Sequence, residues 1–310
     1  MTDDHQSTSQ RLDHYLSRLH PEISRGYLQK LVSDEQVLVN DEPQKVSYKL
    51  KPNDKVKIVA DLSKLGKVPT IDLPIVFEDQ NVLVINKPAG ILSHALSKFH
   101  NEPSVASFLR QKLSGKDTDI RFGIVHRLDR ATSGVMICAK NHPTMSFLQK
   151  QFSSHKVEKT YLAIVLGQPK LTEGIIDVPL ERNPKMPAQF RPGSGGKPAQ
   201  TVYKVIQTND KYSLLELHPK TGRTHQLRVH LKHIGHPIIG DVLYGGATAD
   251  RLYLHAWKLS ISTPEDGKVS FEAPIPKEFS EYIKMPWSLY CILKRKFTWN
   301  GWLATSLKQF

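Results

Sequence analysis

Residues 123–134 read GIVHRLDRATSG, an acid, two arginines and a histidine set between apolar runs. Arg127 and Arg130 flank Asp129, and neighbouring guanidiniums keep a carboxylate ionised, as a nucleophile or base requires. The same three residues also make an ordinary structural ion pair. Position adds weight to the first reading: the loop leads into the strand-like VMICA of Val135–Ala139, where folds display working side chains. The local pattern leaves both readings open.

Working outward, the chain has 310 residues, room for two domains with a sizeable core. Hydrophobic residues make up 39% and charged residues 24%, ordinary for a globular protein, whereas the formal charge of +13 is not. Such an excess points to a polyanionic partner, with nucleic acid the commonest. Cys138 and Cys291 are the two cysteines, too few and too far apart for a disulfide scaffold or a thiolate cage. The N-terminal MTDDHQSTSQ lacks an apolar core and does not read as a signal peptide. With no 18-residue apolar run, the expectation is a cytoplasmic protein that avoids membranes.

Leu12, Tyr15, Leu16 and Leu19 recur at helical spacing, and Pro21 ends that helix. A second helix follows with Tyr27, Leu28, Leu31 and Val32 on its apolar face, then strand-like runs at Val37–Val39 and Val56–Val59. This compact unit, residues 10–60, is basic through Arg18, Arg25 and Lys30. Residues 61–74 read as a linker, and 75–285 as a second domain. Its candidate strands are Val82–Ile85, Val135–Ala139, Thr160–Leu166, Val202–Ile206 and Leu214–Leu217, with a helix over 143–152. The Pro- and Gly-rich stretch 183–199 predicts a loop or a long hairpin arm. Strands without strict alternation with helices give an α+β class: a mixed, largely antiparallel sheet with flanking helices behind a small α/β unit. Residues 286–310 form a basic, aromatic C-terminal extension.

Three further segments carry candidate chemistry. In TGRTHQLRVHLKHIGHP (221–237), Thr224 is a plausible helix cap, Leu227, Leu231 and Ile234 an apolar stripe, and His225, Arg228 and Lys232 a basic face. The histidines at 225, 230, 233 and 236 lack a carboxylate partner at ligand spacing, so no metal is expected. In EKTYLAIVLG (158–167), Tyr161 on a half-buried strand is core filler or a functional ring. In NKPAGI (86–91), Lys87 either holds phosphate or is simply solvated.

Together HRLDRATSG, KTYLAIVLG, GRTHQLRVH and NKPAG resemble the RluA-type pseudouridine synthases, as do GKPAQT (196–201), GDVLYGG (240–246) and LHAWKL (254–259). Residues 11–40, RLDHYLSRLHPEISRGYLQKLVSDEQVLVN, resemble the alpha-L RNA-binding domain that precedes such catalytic domains. Glu35, Asp41 and Asn53 stand where that domain commonly has glycine, so Glu35 should strain its turn.

The resemblance implies isomerisation of uridine in RNA to pseudouridine without metal, cofactor or bound nucleotide. It implies that Asp129 is the catalytic aspartate, Tyr161 the active-site tyrosine and Arg228 the basic partner paired with Asp129. Arg127 would fill the space left by a flipped base, and His126, Arg130, Lys87, Arg223, His225, Arg25 and Lys30 would contact RNA. Large-subunit ribosomal RNA acted on by a monomer is the favoured reading, and tRNA the runner-up. Two rivals remain: a retaining glycosidase with Glu158 as its second carboxylate, and a non-catalytic rRNA-binding assembly factor.

Overall fold

The computed structural model describes residues 10–21, 23, 25–61, 68–94, 102–113 and 123–284. The readings for residues 1–9, for part of the linker and for the C-terminal extension lie outside these.

The N-terminal unit comprises α1 (Leu12–Leu19), α2 (Arg25–Ser33), β1 (Val37–Val39), β2 (Glu42–Pro43) and β3 (Val56–Ile58). Leu12, Leu16, Leu28, Leu31, Val32, Val37 and Val39 form a core of their own, with Tyr27 packed against it. Of the face expected on α1, Leu19 in the last turn is instead exposed and Tyr15 half-buried. Asp13 is the polar exception, a fully buried carboxylate. It accepts from Arg11 at 3.0 Å, Gln29 at 2.8 Å and Arg25 at 2.7 Å. Burial alone would raise its pKa, but these hydrogen bonds hold the carboxyl well below its usual range.

The substituted turn positions behave as expected: Glu35, Asp41 and Asn53 all have positive φ, at 57°, 63° and 70°. At the end of α2 the Gln36 N–H reaches the Leu31 carbonyl and the Glu35 N–H reaches Val32. That is a Schellman closure, with glutamate in the left-handed position glycine usually takes.

The second unit runs β4 (Ile75–Glu78), β5 (Val82–Lys87), α3 (Val105–Lys112), β6 (Ser133–Ala139), α4 (His142–Ser153), β7 (Glu158–Leu166) and β8 (Glu173–Asp177). It continues through β9 (Leu180–Arg182), β10 (Phe190–Pro192), β11 (Gln200–Thr208), β12 (Tyr212–Pro219) and α5 (Gln226–His233). β13 (Leu254–Thr263), β14 (Gly267–Glu272) and α6 (Phe279–Tyr282) complete it. The described residues build a nine-stranded sheet in the order β4-β5-β6-β13-β7-β12-β11-β8, with β14 added to β13. Its pairings are antiparallel except that of β6 with β13. The α+β, largely antiparallel expectation therefore holds. Of the loop or hairpin arm expected over 183–199, Phe190–Pro192 forms β10 and pairs back on β9, which lies just before that stretch.

The parallel join explains one glycine. Gly134 has φ +121°, and a β-carbon there would run into the Ala256 backbone of β13. Only glycine lets β6 leave the Asp129 loop and lie against β13. Two apolar clusters flank the join, one with β5, β6 and α3, the other with β7, β12 and α5; Tyr161 packs against both. No helix among the described residues is long and apolar enough to cross a membrane.

Candidate active site

Asp129 lies in a loop that is fixed from three sides. His126 accepts the Ile137 N–H through Nε2 at 3.1 Å and stacks on Phe152, ring centroids 4.4 Å apart. Ser93 Oγ donates to the Leu128 carbonyl at 2.7 Å and accepts the Leu128 N–H at 3.0 Å. Lys87 Nζ donates to the carbonyls of Pro88 (2.9 Å), Ile91 (2.8 Å) and Arg130 (3.3 Å).

One expected RNA contact is thereby corrected. Lys87 is wholly buried, and its three carbonyl partners match the three hydrogens of an ammonium. It ties the NKPAG turn to the Asp129 loop and reaches neither phosphate nor solvent. Burial draws its pKa down to about 7 against the pull of Asp129. His126 also fastens the loop, and it lines the cleft that opens over it. Burial brings its pKa to about 3, so the ring is neutral, and accepting through Nε2 puts its proton on Nδ1.

A cleft of about 510 Å³ opens over this loop, lined among others by Arg127, Asp129, Lys159, Tyr161, Arg223, His225 and Arg228. Arg127 is exposed at its edge. Burial, and then the charge of Asp129, push the Tyr161 hydroxyl pKa up, so the phenol keeps its proton. Lys159, two residues earlier on the same face of β7, is lowered to about 8 by burial and donates to the Thr221 carbonyl at 3.2 Å. Arg223 donates to the Pro198 carbonyl at 3.0 Å. Arg130, Arg25 and Lys30 do not line the cleft. Arg130 turns outward to Glu102 at 2.9 Å and to the Gly90 carbonyl at 3.0 Å. Arg25 is engaged with Asp13 and Lys30 is exposed on α2.

Arg228 also departs from expectation. Its fork lies on Asp241, with Nε to Oδ2 and Nη2 to Oδ1 both 2.7 Å. Asp129 receives only Nη1, at 3.9 Å from Oδ2. The guanidinium carbon sits 4.9 Å above the Tyr244 ring. Burial opposes the Arg228 charge, yet the Asp241 bonds and the charges of Asp241 and Asp129 outweigh it and raise the pKa. The helix is therefore buried nearly all round rather than presenting a basic face.

Its start differs too. His225, not Thr224, takes the N-cap place, in a left-handed conformation with φ 56°. Gln226 Oε1 instead receives the Arg223 N–H and the Thr221 hydroxyl. The His225 Nδ1 lies 2.8 Å from the Tyr244 hydroxyl, which also accepts the Phe190 N–H at 2.9 Å.

Sequence reasoning thus missed Asp241, Tyr244 and Lys159. GDVLYGG did carry a signal, an acid and a tyrosine among closely spaced glycines, but nothing local pairs them with α5.

Comparisons with known proteins follow the geometry. Residues 81–233 match the RNA pseudouridylate synthase family and residues 10–56 the S4 domain. The chain is 35% identical over 292 residues to the Bacillus subtilis uncharacterized RNA pseudouridine synthase YlyB, covering 92% of this chain and 96% of that one. It is 32% identical over 296 residues to the Escherichia coli ribosomal large subunit pseudouridine synthase D, covering 89% and 90%. Among solved structures, human RNA pseudouridylate synthase domain containing 1 superposes with a TM-score of 0.56 at 30% identity, covering 71% of this chain and 87% of that one. The chain belongs to the RNA pseudouridylate synthase family, whose members isomerise uridine in RNA to pseudouridine.

Proposed function

We propose that Asp129 is the group that acts on the uridine, with Tyr161 and Arg228 as its partners, and that the RNA is large-subunit ribosomal RNA. The observation that carries this reading is the single cleft in which Asp129, Tyr161 and Arg228 meet, beside an exposed Arg127.

The reaction breaks the bond from C1′ of the ribose to N1 of the base and forms one from C1′ to C5. The C5 proton leaves and N1 gains one. Asp129 either attacks C1′ or takes a sugar proton on the way to a glycal. Tyr161, still protonated, stacks under the base; the Asp129 carboxylate, freed once the C1′–C5 bond has formed, takes the C5 proton, and N1 takes its proton from solvent. A base inside a helix cannot reach such a cleft, so it is flipped at a cost of about a few kcal/mol. Arg127 is suited to fill the gap, since a planar guanidinium stacks and hydrogen-bonds at once. No step calls for a cofactor.

Residues 10–60 serve as an RNA-holding module, 61–74 as a linker and 75–285 as the catalytic domain of a monomer working in the cytoplasm. Lys30 and the exposed part of Arg25 suit phosphate. The names of relatives such as the Escherichia coli enzyme favour ribosomal RNA over tRNA. The glycosidase reading loses support because Glu158 is 67% exposed and bound to Lys268, while Asp241 is committed to Arg228. Chemical mapping of pseudouridine in RNA from a strain lacking the gene tests the substrate. Loss of one or more sites in large-subunit rRNA is expected; loss confined to tRNA contradicts it.

A further inference from the structure

Arg228 stands between two carboxylates, and the one it holds is not the one proposed to react. Asp241 is 1% exposed. The hydrogen bonds recorded for its two side-chain oxygens both come from Arg228. Its backbone is set by a 3-10 turn over Val242–Tyr244, where the Asp241 carbonyl receives the Tyr244 N–H at 3.0 Å and the Gly246 N–H at 2.9 Å. Gly240 enters that turn at φ +78°, and a β-carbon there would strike the Arg251 carbonyl. The turn is therefore rigid and brings its carboxylate to the start of α5. Tyr244, from the same turn, supplies the ring beneath the guanidinium.

We infer that Asp241 is a positioning residue for the isomerisation: it occupies the Arg228 fork, so that Arg228 offers Asp129 a single arm and not a bidentate clamp. This rests on the reading of Asp129 as the reactive group. The reason is chemical. A fork on Asp129 would bind both of its oxygens in one plane and place an uncompensated cation against them, which weakens a nucleophile or base. With the fork on Asp241, the Arg228 charge is already balanced, and the two aspartates and the arginine together carry one negative charge. Asp129 keeps oxygens free for the sugar, and Nη1 stays close enough to steady the carboxylate as it is released. Lys87, Tyr161, His225 and Tyr244 also act electrostatically on Asp129 or feel its charge. None of them presents a planar fork, so none replaces Arg228 in this geometry.

The test is single-turnover tritium release from carbon-5-labelled uridine RNA, with RNA affinity and thermal melting measured alongside. Asp241→Asn keeps the shape but sets an amide N–H against the guanidinium, freeing the fork to swing to Asp129. It is expected to slow turnover about a hundredfold while affinity stays within about threefold, since phosphate contacts lie elsewhere. In an Arg228→Gln background the same substitution is expected to cost less than about threefold more, because the fork it controls is gone. Turnover by Asp241→Asn within threefold of the parent would overturn the inference. So would an equal loss with and without Arg228, the mark of a role in holding the turn alone. If Asp241→Asn does not melt cooperatively, Asp241→Glu takes its place; it keeps the charge but moves the fork, and the same two criteria apply. Asp129→Asn, run in parallel, separates the failures. Turnover by that variant overturns the active-site reading and this inference with it, whereas an inert Asp129→Asn beside a normal Asp241→Asn overturns this inference alone.

Discussion

The Lys87 ammonium donates to the carbonyl of Arg130, the residue after Asp129, across 3.3 Å. With two further carbonyls on the same nitrogen, the end of β5 and the Asp129 loop are one unit. Lys87→Met fills the space but leaves three buried carbonyls short of a donor. We expect a stability loss of about 2–4 kcal/mol, a melting point lower by roughly 5–15 °C, and slower turnover. The plot of log RNA affinity against log salt should keep its slope. A slope flatter by about 0.7–0.9, one phosphate's worth, would restore Lys87 as an RNA contact.

Glu35→Gly should stabilise the N-terminal unit. Glutamate in the left-handed position after α2 costs about 1–2 kcal/mol, part of which glycine gives back through its freer unfolded chain. A net gain of about 0.5–1 kcal/mol in urea unfolding is expected. Destabilisation by this variant would mean that the Glu35 side chain makes a contact worth more than the strain.

Acid should unfold the chain sooner than its carboxylates alone predict. Burial lowers both His126 and His255 to about 3, against roughly 6.5 in an unfolded chain. Between these values only the unfolded state takes up the two protons. Their contribution is therefore complete above about pH 6.5 and is lost progressively as pH falls toward 3. The limiting slope is about 1.4 kcal/mol per pH unit for each histidine. Asp13, held far below its usual range, continues the trend at lower pH. Urea midpoints between pH 7.5 and 4.5 measure this, and His126→Phe, which keeps the stack on Phe152, should remove up to half of the slope. A flat profile in the parent protein would contradict the buried neutral histidines.

The parts of this molecule that sequence made legible are those with local cause. The spacing of Leu12, Leu16 and Leu19 gave α1, Pro143 and the apolar residues after it gave α4, and β-rich runs gave β5, β6, β7, β11 and β12. β13 escaped because Leu254–Trp257 is buried on both faces and shows no alternation. α3 escaped as well, although it is as long as α1 and Ser104 caps it. At the site, HRLD pointed to Asp129 and GRTHQLR to Arg228. What could not be read was which charge each side chain meets. Arg228 reaches Asp241 through a turn 13 residues further on. Lys87 is inward because β5 lies inside the sheet, and neither fact is written in NKPAGI. His225 was placed on the helix, yet its left-handed backbone puts it before the first turn, where its ring meets Tyr244.

The most direct measurement of the central claim is tritium release by Asp129→Asn at saturating RNA. The substitution removes the charge and nucleophilicity of one side chain in a loop anchored by His126, Ser93 and Lys87, none of which it touches. The account predicts no release above background, with RNA affinity within a few fold of the parent. Release within about tenfold of the parent rate would contradict it, and Asp129 would be a structural ion pair after all.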